Sequence, residues 1–406
     1  MKKAAILLLL LGMTGTIHAQ SFTDRLSISA EGDYLITSGH MARYVPGTTN
    51  FPAHDIELGI STLPSDRNPF AEAMNFPVFS LGFGHTSLGD IQFLEVHSKA
   101  SDMFHVYVAM DREIIRRGSY SFGYEAMLGL TYTDTVYDII DNPMSKIFSS
   151  HYSIYAGGGL HFKWRPFESY RRLELEADAV FRHSSCGRLS YPNSGYNGYG
   201  AGLTVRHYFS DEAIAKPGSK RRNIPDSEYP EENGMHYHIV AGGGYHSCSA
   251  EWLAFRAMER KEEDKRQELS KWPRASIALE TTYRYAGRFS SGISAEFFYC
   301  GETEMLKEAD IRISGDDAEG NKGYSPYSGG IGLVHECFYG PLAVYLNAGV
   351  YVYRRMGIRA NHGPVWLRAG LRYYPKAIRP LFFGVSCKAQ AMKAEYMDFT
   401  IGIDIR

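Results

Sequence analysis

The segment 173–209, LELEADAVFRHSSCGRLSYPNSGYNGYGAGLTVRHYF, decides the fold class of this chain. Side chains alternate between the two faces of a β-strand. The odd positions from Leu173 to Phe181 are apolar, and the return strand alternates in the same way. The even positions carry mostly charged side chains, at Glu174, Glu176, Asp178 and Arg182. This pattern predicts a hairpin of a membrane β-barrel, with one face toward lipid and the other toward the barrel interior.

The N-terminus predicts export. Lys2 and Lys3 precede an apolar run, and Ile17-His18-Ala19 is an acceptable cleavage site before Gln20. This pattern is typical of a secretory signal peptide, residues 1–19. The residue directly after the cleavage site is Gln20 and not cysteine, so we expect no lipoprotein anchor. The remaining chain has no apolar run long enough for a spanning helix. We therefore expect residues 20–406 to form a single outer-membrane β-barrel.

Alternating segments bounded by turn residues recur along the chain and predict an all-β, antiparallel transmembrane barrel of roughly 14 strands, with 12 to 16 possible. One segment, 251–271, is predicted to form a short helical loop. The clearest strand candidates are 119–131, 151–164, 171–185, 199–209, 236–248, 274–285, 290–300, 328–338, 342–353, 363–374, 380–390 and 394–405. Weaker candidates lie near 26–37, 55–62, 77–85 and 103–110.

Strand alternation also assigns the loops to the two ends of the barrel. If the last strand ends in the periplasm, the long loops are extracellular and the tight turns are periplasmic, as in outer-membrane barrels. The charged segment 210–235 is then a long periplasmic exception. We interpret it as a linker between an eight-strand-like front half and the remainder, and not as a domain boundary, because neither half need close alone. The predicted extracellular loops are 186–198, 249–273 and 301–327, and the predicted periplasmic turns include 286–289 and 339–341.

Composition excludes some classes of function. The formal net charge of −2 argues against a nucleic-acid partner. The five cysteines are odd in number and lack metal-ligand spacing, so they predict no disulfide framework. No His/Cys/Asp/Glu cluster in the sequence indicates a catalytic metal, and we expect no cofactor. Two glycine-rich stretches, 151–159 and 236–244, resemble each other. Each is either a duplicated ligand loop or a strand in which glycine permits close packing. Five aromatic positions are predicted to line the membrane interface: Tyr345, Tyr351, Tyr353, Trp366 and Tyr373.

Strand parity singles out one pair of chemically active side chains. His183 and Ser185 are odd positions at the end of the strand, so they lie on the same apolar, lipid-facing side as Leu173 to Phe181. Ser184 is an even position and faces the barrel interior with Arg182. A histidine two residues from a serine on a lipid-facing surface suits a nucleophile and its general base. The alternative is two polar residues at the headgroup boundary.

The motif also resembles a known family. His183-x-Ser185-x-Gly187, followed by Pro192-Asn193-x-Gly195-x-Asn197, is similar to the signature of PagL-type lipid A deacylases and of the acyloxyacyl hydrolases of Bacteroidetes. The C-terminal runs 384–389, 393–396 and 401–403 resemble the last hairpin of those proteins. The resemblance implies an outer-membrane barrel that hydrolyses an ester-linked acyl chain of lipid A on its lipid-facing surface.

The resemblance assigns a role to each residue of the motif. Ser185 would be the nucleophile, His183 its general base and Asn197 the residue that orients the imidazole. Asn193, Cys186 and Gly187 would bind the oxyanion. The chain departs from the family twice, since Asn197 stands where the best-known branch has Glu and Cys186 stands where Asn is usual. These departures leave the fold expectation intact and weaken the expectation of activity.

Two functions are therefore open. The first is an ester hydrolase acting on lipid A or lipopolysaccharide within the membrane. The second is a catalytically degenerate barrel with a structural or channel role. The sequence leaves the oligomeric state open.

Overall fold

The computed structural model describes residues 23–36, 50–61, 71, 74–88, 91, 98–211, 233–257, 269–314, 323–357, 363–390 and 393–406. The predicted signal peptide and most of the predicted linker 210–235 lie outside these residues. No helix within the described ranges is long and apolar enough to cross a membrane.

Within these described residues, sixteen strands form two closed antiparallel barrels of eight strands each. In the first barrel, β1 closes the sheet by pairing with β8, from Arg25 opposite Tyr208 to Leu35 opposite Gly198. Its strands are β1 Arg25–Leu35, β2 Asn50–Ser61, β3 Val78–Thr86, β4 Met103–Arg117, β5 Tyr120–Thr133, β6 Tyr152–Trp164, β7 Leu173–Ser185 and β8 Tyr196–Tyr208.

The second barrel closes where β9 pairs with β16, from Gly243 opposite Phe399 to Tyr237 opposite Ile405. Its strands are β9 Gly234–His246, β10 Trp272–Tyr285, β11 Phe289–Cys300, β12 Tyr327–Tyr339, β13 Leu342–Tyr353, β14 Val365–Tyr373, β15 Leu381–Gln390 and β16 Lys393–Ile405. Two helices, α1 Ser249–Ala257 and α2 Thr303–Ser314, follow β9 and β11.

The prediction of a single barrel of roughly 14 strands is wrong. Each predicted strand segment is a strand, and the all-β, antiparallel character holds. The error lies in closure, because alternation reveals a strand's two faces but not its partner. By compactness the chain divides into unit 1, comprising residues 1–136, 141–185 and 194–223, and unit 2, comprising 137–140, 186–193 and 224–406.

Paired charges fill the interior of the first barrel. Arg182 donates to Asp33 Oδ1 at 2.8 Å and to Asp55 Oδ2 at 3.1 Å. Arg206 donates from Nη1 to Glu174 and Glu176, each at 2.7 Å. An eight-stranded barrel is just wide enough for side chains to fill it, so long charged residues that meet across the axis replace an aqueous channel. The outer surface carries exposed Ile, Leu, Val and Phe side chains.

Paired charges also fill the interior of the second barrel. Arg372 donates to Glu280 and Glu336, and Arg368 lies 2.9 Å from Glu296. Trp366 is fully buried and its indole N–H donates to Asn347 Oδ1. The prediction that Trp366 and Tyr345 line the membrane interface is therefore wrong, since both point inward with the polar parity of their strands. Tyr351 is also inside, near Glu395, whereas Tyr353 and Tyr373 are exposed.

Apolar side chains pack at the loop end of each barrel. In unit 1 the cluster includes Phe51, Met103, Phe148 and Tyr196. In unit 2, α2 contributes Leu306 and Ala309, which pack with Cys248, Cys300 and Met356. The sequence prediction of one helical loop therefore missed α2, although Leu306, Ala309 and Ile313 recur at helical spacing.

The glycine repeat belongs to strands β6 and β9. A Cβ on Gly159 would lie 2.7 Å from the carbonyl oxygen of Ala179, and a Cβ on Gly244 would lie 2.0 Å from that of Met397. Glycine is therefore required at both positions because the neighbouring backbone is too close for a side chain, which supports the packing interpretation of the repeat.

Candidate functional site

The strand pair β7–β8 brings together two residues of the predicted triad. His183 and Asn197 are directly opposite each other in the register. His183 Nδ1 lies 2.8 Å from Asn197 Oδ1. Because an amide oxygen can only accept, Nδ1 is the donor in this contact, which leaves Nε2 as the other ring nitrogen. Nε2 is thus the nitrogen that can accept a proton.

Ser185 is the last residue of β7 and continues the outward parity of His183. It is opposite Ile154 of β6 and is 8% exposed. Gly195 shows how close the serine is to the imidazole. A Cβ built on Gly195 would lie 3.3 Å from Ser185 Cβ and 3.5 Å from His183 Cε1, so the two side chains flank the same small space.

Backbone hydrogen bonds hold the residues just before β8, which pass the small space between the side chains of His183 and Ser185. Ser194 N–H donates to the Lys146 carbonyl oxygen at 2.9 Å, and Gly195 N–H donates to that of Ile147 at 3.0 Å. The Asn197 carbonyl oxygen accepts from Ile36 N–H at 2.7 Å. The loop between β5 and β6 and the end of β1 therefore position the residues that face His183.

Ser184 points into the barrel, as strand parity predicted. It is fully buried, and its hydroxyl lies 2.7 Å from that of Thr131. Thr131 in turn contacts His105 Nδ1 at 2.9 Å. Ser184 thus belongs to an interior hydrogen-bond chain, on the opposite face of the sheet from His183.

The three predicted oxyanion residues lie in the segment 186–193, which groups with unit 2. Gly187 has a φ of +58°, and Cys186 Sγ contacts the carbonyl oxygen of Ser190 at 3.6 Å. The roles of Cys186, Gly187 and Asn193 at an oxyanion stay predictions.

The outer surface below His183 is apolar and aromatic. Phe181, on the same face of β7, is 44% exposed, and Tyr199 of β8 is 54% exposed. Tyr199 stacks on Tyr34 of β1, with their ring centroids 5.7 Å apart. Serine and histidine therefore stand at the end of a surface suited to hydrocarbon chains.

Sequence reasoning missed a second serine–histidine contact. Ser291 Oγ on β11 lies 2.9 Å from His335 Nδ1 on β12, and both residues are half-buried. The Tyr285 hydroxyl lies 3.2 Å from the same Ser291 Oγ. The two residues are 44 positions apart, so only the register of the two strands reveals the pair. It lies beside the short β10–β11 turn, at the opposite end of its barrel from α1 and α2.

Two groups of side chains among the described residues have the composition of metal sites. One is His236, His238 and Asp404, and the other is Asp111, His161 and Glu176. The sequence predicted neither a metal nor another cofactor, because the members of each group are spread over separate strands.

The fold, and a family match over part of the chain, indicate the class of protein. Closed antiparallel barrels with apolar outer surfaces and charged interiors are typical of outer-membrane β-barrels. Residues 235–406 match the family model described as "Acyloxyacyl hydrolase, C-terminal domain". For these residues, the match confirms the resemblance to the PagL-type family. It covers the second barrel and excludes His183, Ser185 and Asn197. None of the curated proteins matches the chain.

Three solved structures illustrate the likeness of this chain to known proteins. The crystal structure of the outer membrane enzyme PagL is 13% identical, with a TM-score of 0.30, and the match covers 45% of this chain and 99% of that chain. The beta domain of the Bordetella autotransporter Brka is 10% identical, with a TM-score of 0.24 and coverage of 94% and 98%. CdiB from Acinetobacter baumannii is 13% identical, with a TM-score of 0.18 and coverage of 94% and 60%. At such TM-scores these likenesses carry no argument.

Proposed function

We propose that the protein is an outer-membrane ester hydrolase that removes an ester-linked acyl chain from lipid A, with its site on the outer surface of the first barrel. The observation that carries this proposal is the 2.8 Å contact between His183 Nδ1 and Asn197 Oδ1 beside Ser185. An oriented imidazole next to a serine is the arrangement that activates a hydroxyl nucleophile. The family match of residues 235–406 to an acyloxyacyl hydrolase domain supports the same reaction class.

In the proposed reaction, Ser185 Oγ attacks the ester carbonyl carbon while its proton passes to His183 Nε2. The tetrahedral intermediate collapses to an acyl-serine, and the same proton leaves with the sugar hydroxyl. Water then attacks the acyl-serine with His183 as base, which releases the fatty acid and restores Ser185. Asn197 holds the ring so that Nε2 presents its lone pair throughout.

The two departures from the family act on different parts of this reaction. Asn197 orients the imidazole but lacks the charge that would stabilise imidazolium. Replacing the acid by asparagine in a serine protease costs about 10⁴-fold, there because the imidazole takes the wrong tautomer, so the loss here is expected to be smaller. Cys186 replaces a side-chain amide donor, and one good oxyanion donor contributes about 3 kcal/mol. Asn193 and the backbone N–H groups of Cys186 and Gly187 are the donors proposed to remain. The reaction is therefore expected to be slow.

The position of the site favours a lipid substrate. The exposed rings of Phe181 and Tyr199 lie on the same outer face as His183, so a membrane-embedded acyl chain could lie along the barrel wall with its ester near Ser185. A channel role is less consistent with unit 1. Its interior is occupied by paired charged side chains, which leave a cavity of only about 30 Å³.

The test is release of fatty acid from purified lipid A by the protein refolded into lipid vesicles, measured by mass spectrometry. Ser185→Ala should abolish release. Ser184→Ala removes an interior hydroxyl next to it in sequence and should retain most of the activity, since its hydrogen bond to Thr131 contributes only about 1 kcal/mol to stability. Ser291→Ala is the matched control for the second serine–histidine contact.

The outcomes separate the alternatives. Equal loss in the Ser184 and Ser185 variants would mean that the face assignment of β7 does not control the chemistry. If only Ser291→Ala lost fatty-acid release, the active site would be on the second barrel. A folded, inserted wild-type protein that releases no fatty acid would favour the structural role.

A further inference from the structure

The closing seam of the second barrel gathers three metal-binding side chains. His236 and His238 lie on β9, its first strand, and Asp404 lies on β16, its last. Asp404 Oδ1 is 2.8 Å from His236 Nδ1 and 3.4 Å from His238 Nε2. One ligand atom from each of the three residues lies within 4.8 Å of the others. Ligands at about 2.1 Å from a tetrahedral ion are about 3.4 Å apart, so these atoms nearly match such a shell.

The surrounding residues orient one of the ligands. His238 Nδ1 lies 3.1 Å from Glu280 Oε2, so this carboxylate can accept the N–H and leave Nε2 toward Asp404. Glu280 is itself held by Arg372 and by the Tyr345 hydroxyl. A carboxylate behind a metal-binding histidine fixes the ring and its tautomer, which is the usual support of a zinc-bound imidazole.

The group of Asp111, His161 and Glu176 in the first barrel provides a contrast. Lys163 Nζ contacts Asp111 Oδ2 directly, and Arg206 Nη1 lies 2.7 Å from Glu176 Oε2. Protein cations therefore already occupy the positions that an ion would need.

The charges around Asp404 leave more room for an ion. Arg406 Nε lies 3.9 Å from Oδ2, the other carboxylate oxygen, and the Arg406 side chain is 40% exposed. His236 and His238 are buried, whereas Asp404 is partly exposed and offers an entry path from the barrel end.

We propose that His236, His238 and Asp404 bind one divalent transition-metal ion of the Zn²⁺ class, with water completing the shell. Two imidazoles and one carboxylate are ligands that such ions accept, whereas Mg²⁺ and Ca²⁺ require mostly oxygen. Binding displaces the protons that otherwise join these groups. Because the ligands come from the first and last strands, the ion cross-links the barrel where it closes. The site is structural and does not depend on the proposed hydrolysis.

The experiment measures zinc in the full-length protein after refolding, chelator treatment and reloading with Zn²⁺, with Mg²⁺ as the control ion. The wild type should retain about one equivalent of Zn²⁺ and gain several degrees in its unfolding temperature, read from heat-modified gel migration. His236→Gln and Asp404→Asn should lose both effects. His161→Gln, in the contrasting group, should keep both.

X-ray absorption on the zinc-loaded wild type counts imidazole ligands without any variant, so a variant that fails to fold leaves the proposal testable. Two imidazoles are expected. A wild type without retained zinc, a shell with fewer than two imidazoles, or full retention in the folded Asp404→Asn variant would each overturn the site. In that case the seam is held by the contacts of His236 and His238 with Asp404 alone.

Discussion

Gly195 is the position at which a small change tests the candidate site most directly. It has a φ of +70°, a backbone conformation that glycine adopts without strain. An alanine Cβ there would lie 3.0 Å from the Ser184 carbonyl oxygen, 3.3 Å from Ser185 Cβ and 3.5 Å from His183 Cε1. The first two contacts are tighter than ordinary packing, so Gly195→Ala must displace the strand end that carries the serine, the loop, or both.

The expected magnitudes follow from these contacts. The left-handed backbone costs alanine about 1–2 kcal/mol, which a barrel of eight paired strands should tolerate. A misplacement of about 1 Å costs about 10²-fold in rate. A shift of a few tenths of an ångström therefore predicts a three- to tenfold loss of deacylation, with the protein still folded and inserted.

Gly118→Ala is the matched control. Gly118 lies in the β4–β5 turn of the same barrel with a φ of +56°, and a Cβ there would meet nothing within 4 Å. Alanine at position 118 imposes comparable backbone strain but contacts no residue of the candidate site. The assay compares initial rates of fatty-acid release with gel migration of folded protein for both variants. If Gly195→Ala and Gly118→Ala retain equal activity, the site does not depend on the space between His183 and Ser185.

Three further predictions concern the site, the second barrel and its closure. Asn197→Glu should preserve or raise the rate of fatty-acid release, because a carboxylate also stabilises the His183 imidazolium; a lower rate would contradict the orienting role. Burial opposes ionisation of Glu302, but Arg274 and His246 outweigh it and lower the pKa of this carboxyl to about 2. The ionised carboxylate therefore stabilises the folded protein above the unfolded pKa of about 4.3, and this stabilisation is lost as the pH falls toward 2. The unfolding free energy of the wild type, measured relative to Glu302→Gln in urea titrations, should fall by roughly 3 kcal/mol across this range. Residues 233–406 expressed alone should insert and show heat-modified migration, and failure to do so would contradict independent closure.

The site illustrates how far strand parity extends. It assigned Ser184 to the interior and Ser185 to the outer face because alternation is a local property of the backbone. It could not reveal that Asn197 lies directly opposite His183, although the family motif indicated the pairing. It also could not find Ser291 and His335, whose contact depends on the register between two strands.

The proposed metal site of His236, His238 and Asp404 could be recognised from the sequence even less than the pair Ser291 and His335. His236-x-His238 is visible in the sequence as two residues on one face of a strand. Asp404 is far away in the chain and reaches them only because β16 pairs with β9. No spacing rule connects ligands that are joined by barrel closure.

The sequence by itself determined the all-β class, the approximate position of each described strand and the apolar face of β7, because these follow from alternation and from turn residues. It assigned the wrong face to Tyr345 and Trp366, whose rings lie inside the second barrel. Only the tertiary structure decided that the strands close as two barrels of eight. Closure depends on whether β8 pairs with β1 or with β9, and both choices satisfy the same alternation. The interiors decide it physically, since Arg182 and Arg206 in one barrel and Arg372 in the other find their carboxylates across an eight-strand lumen.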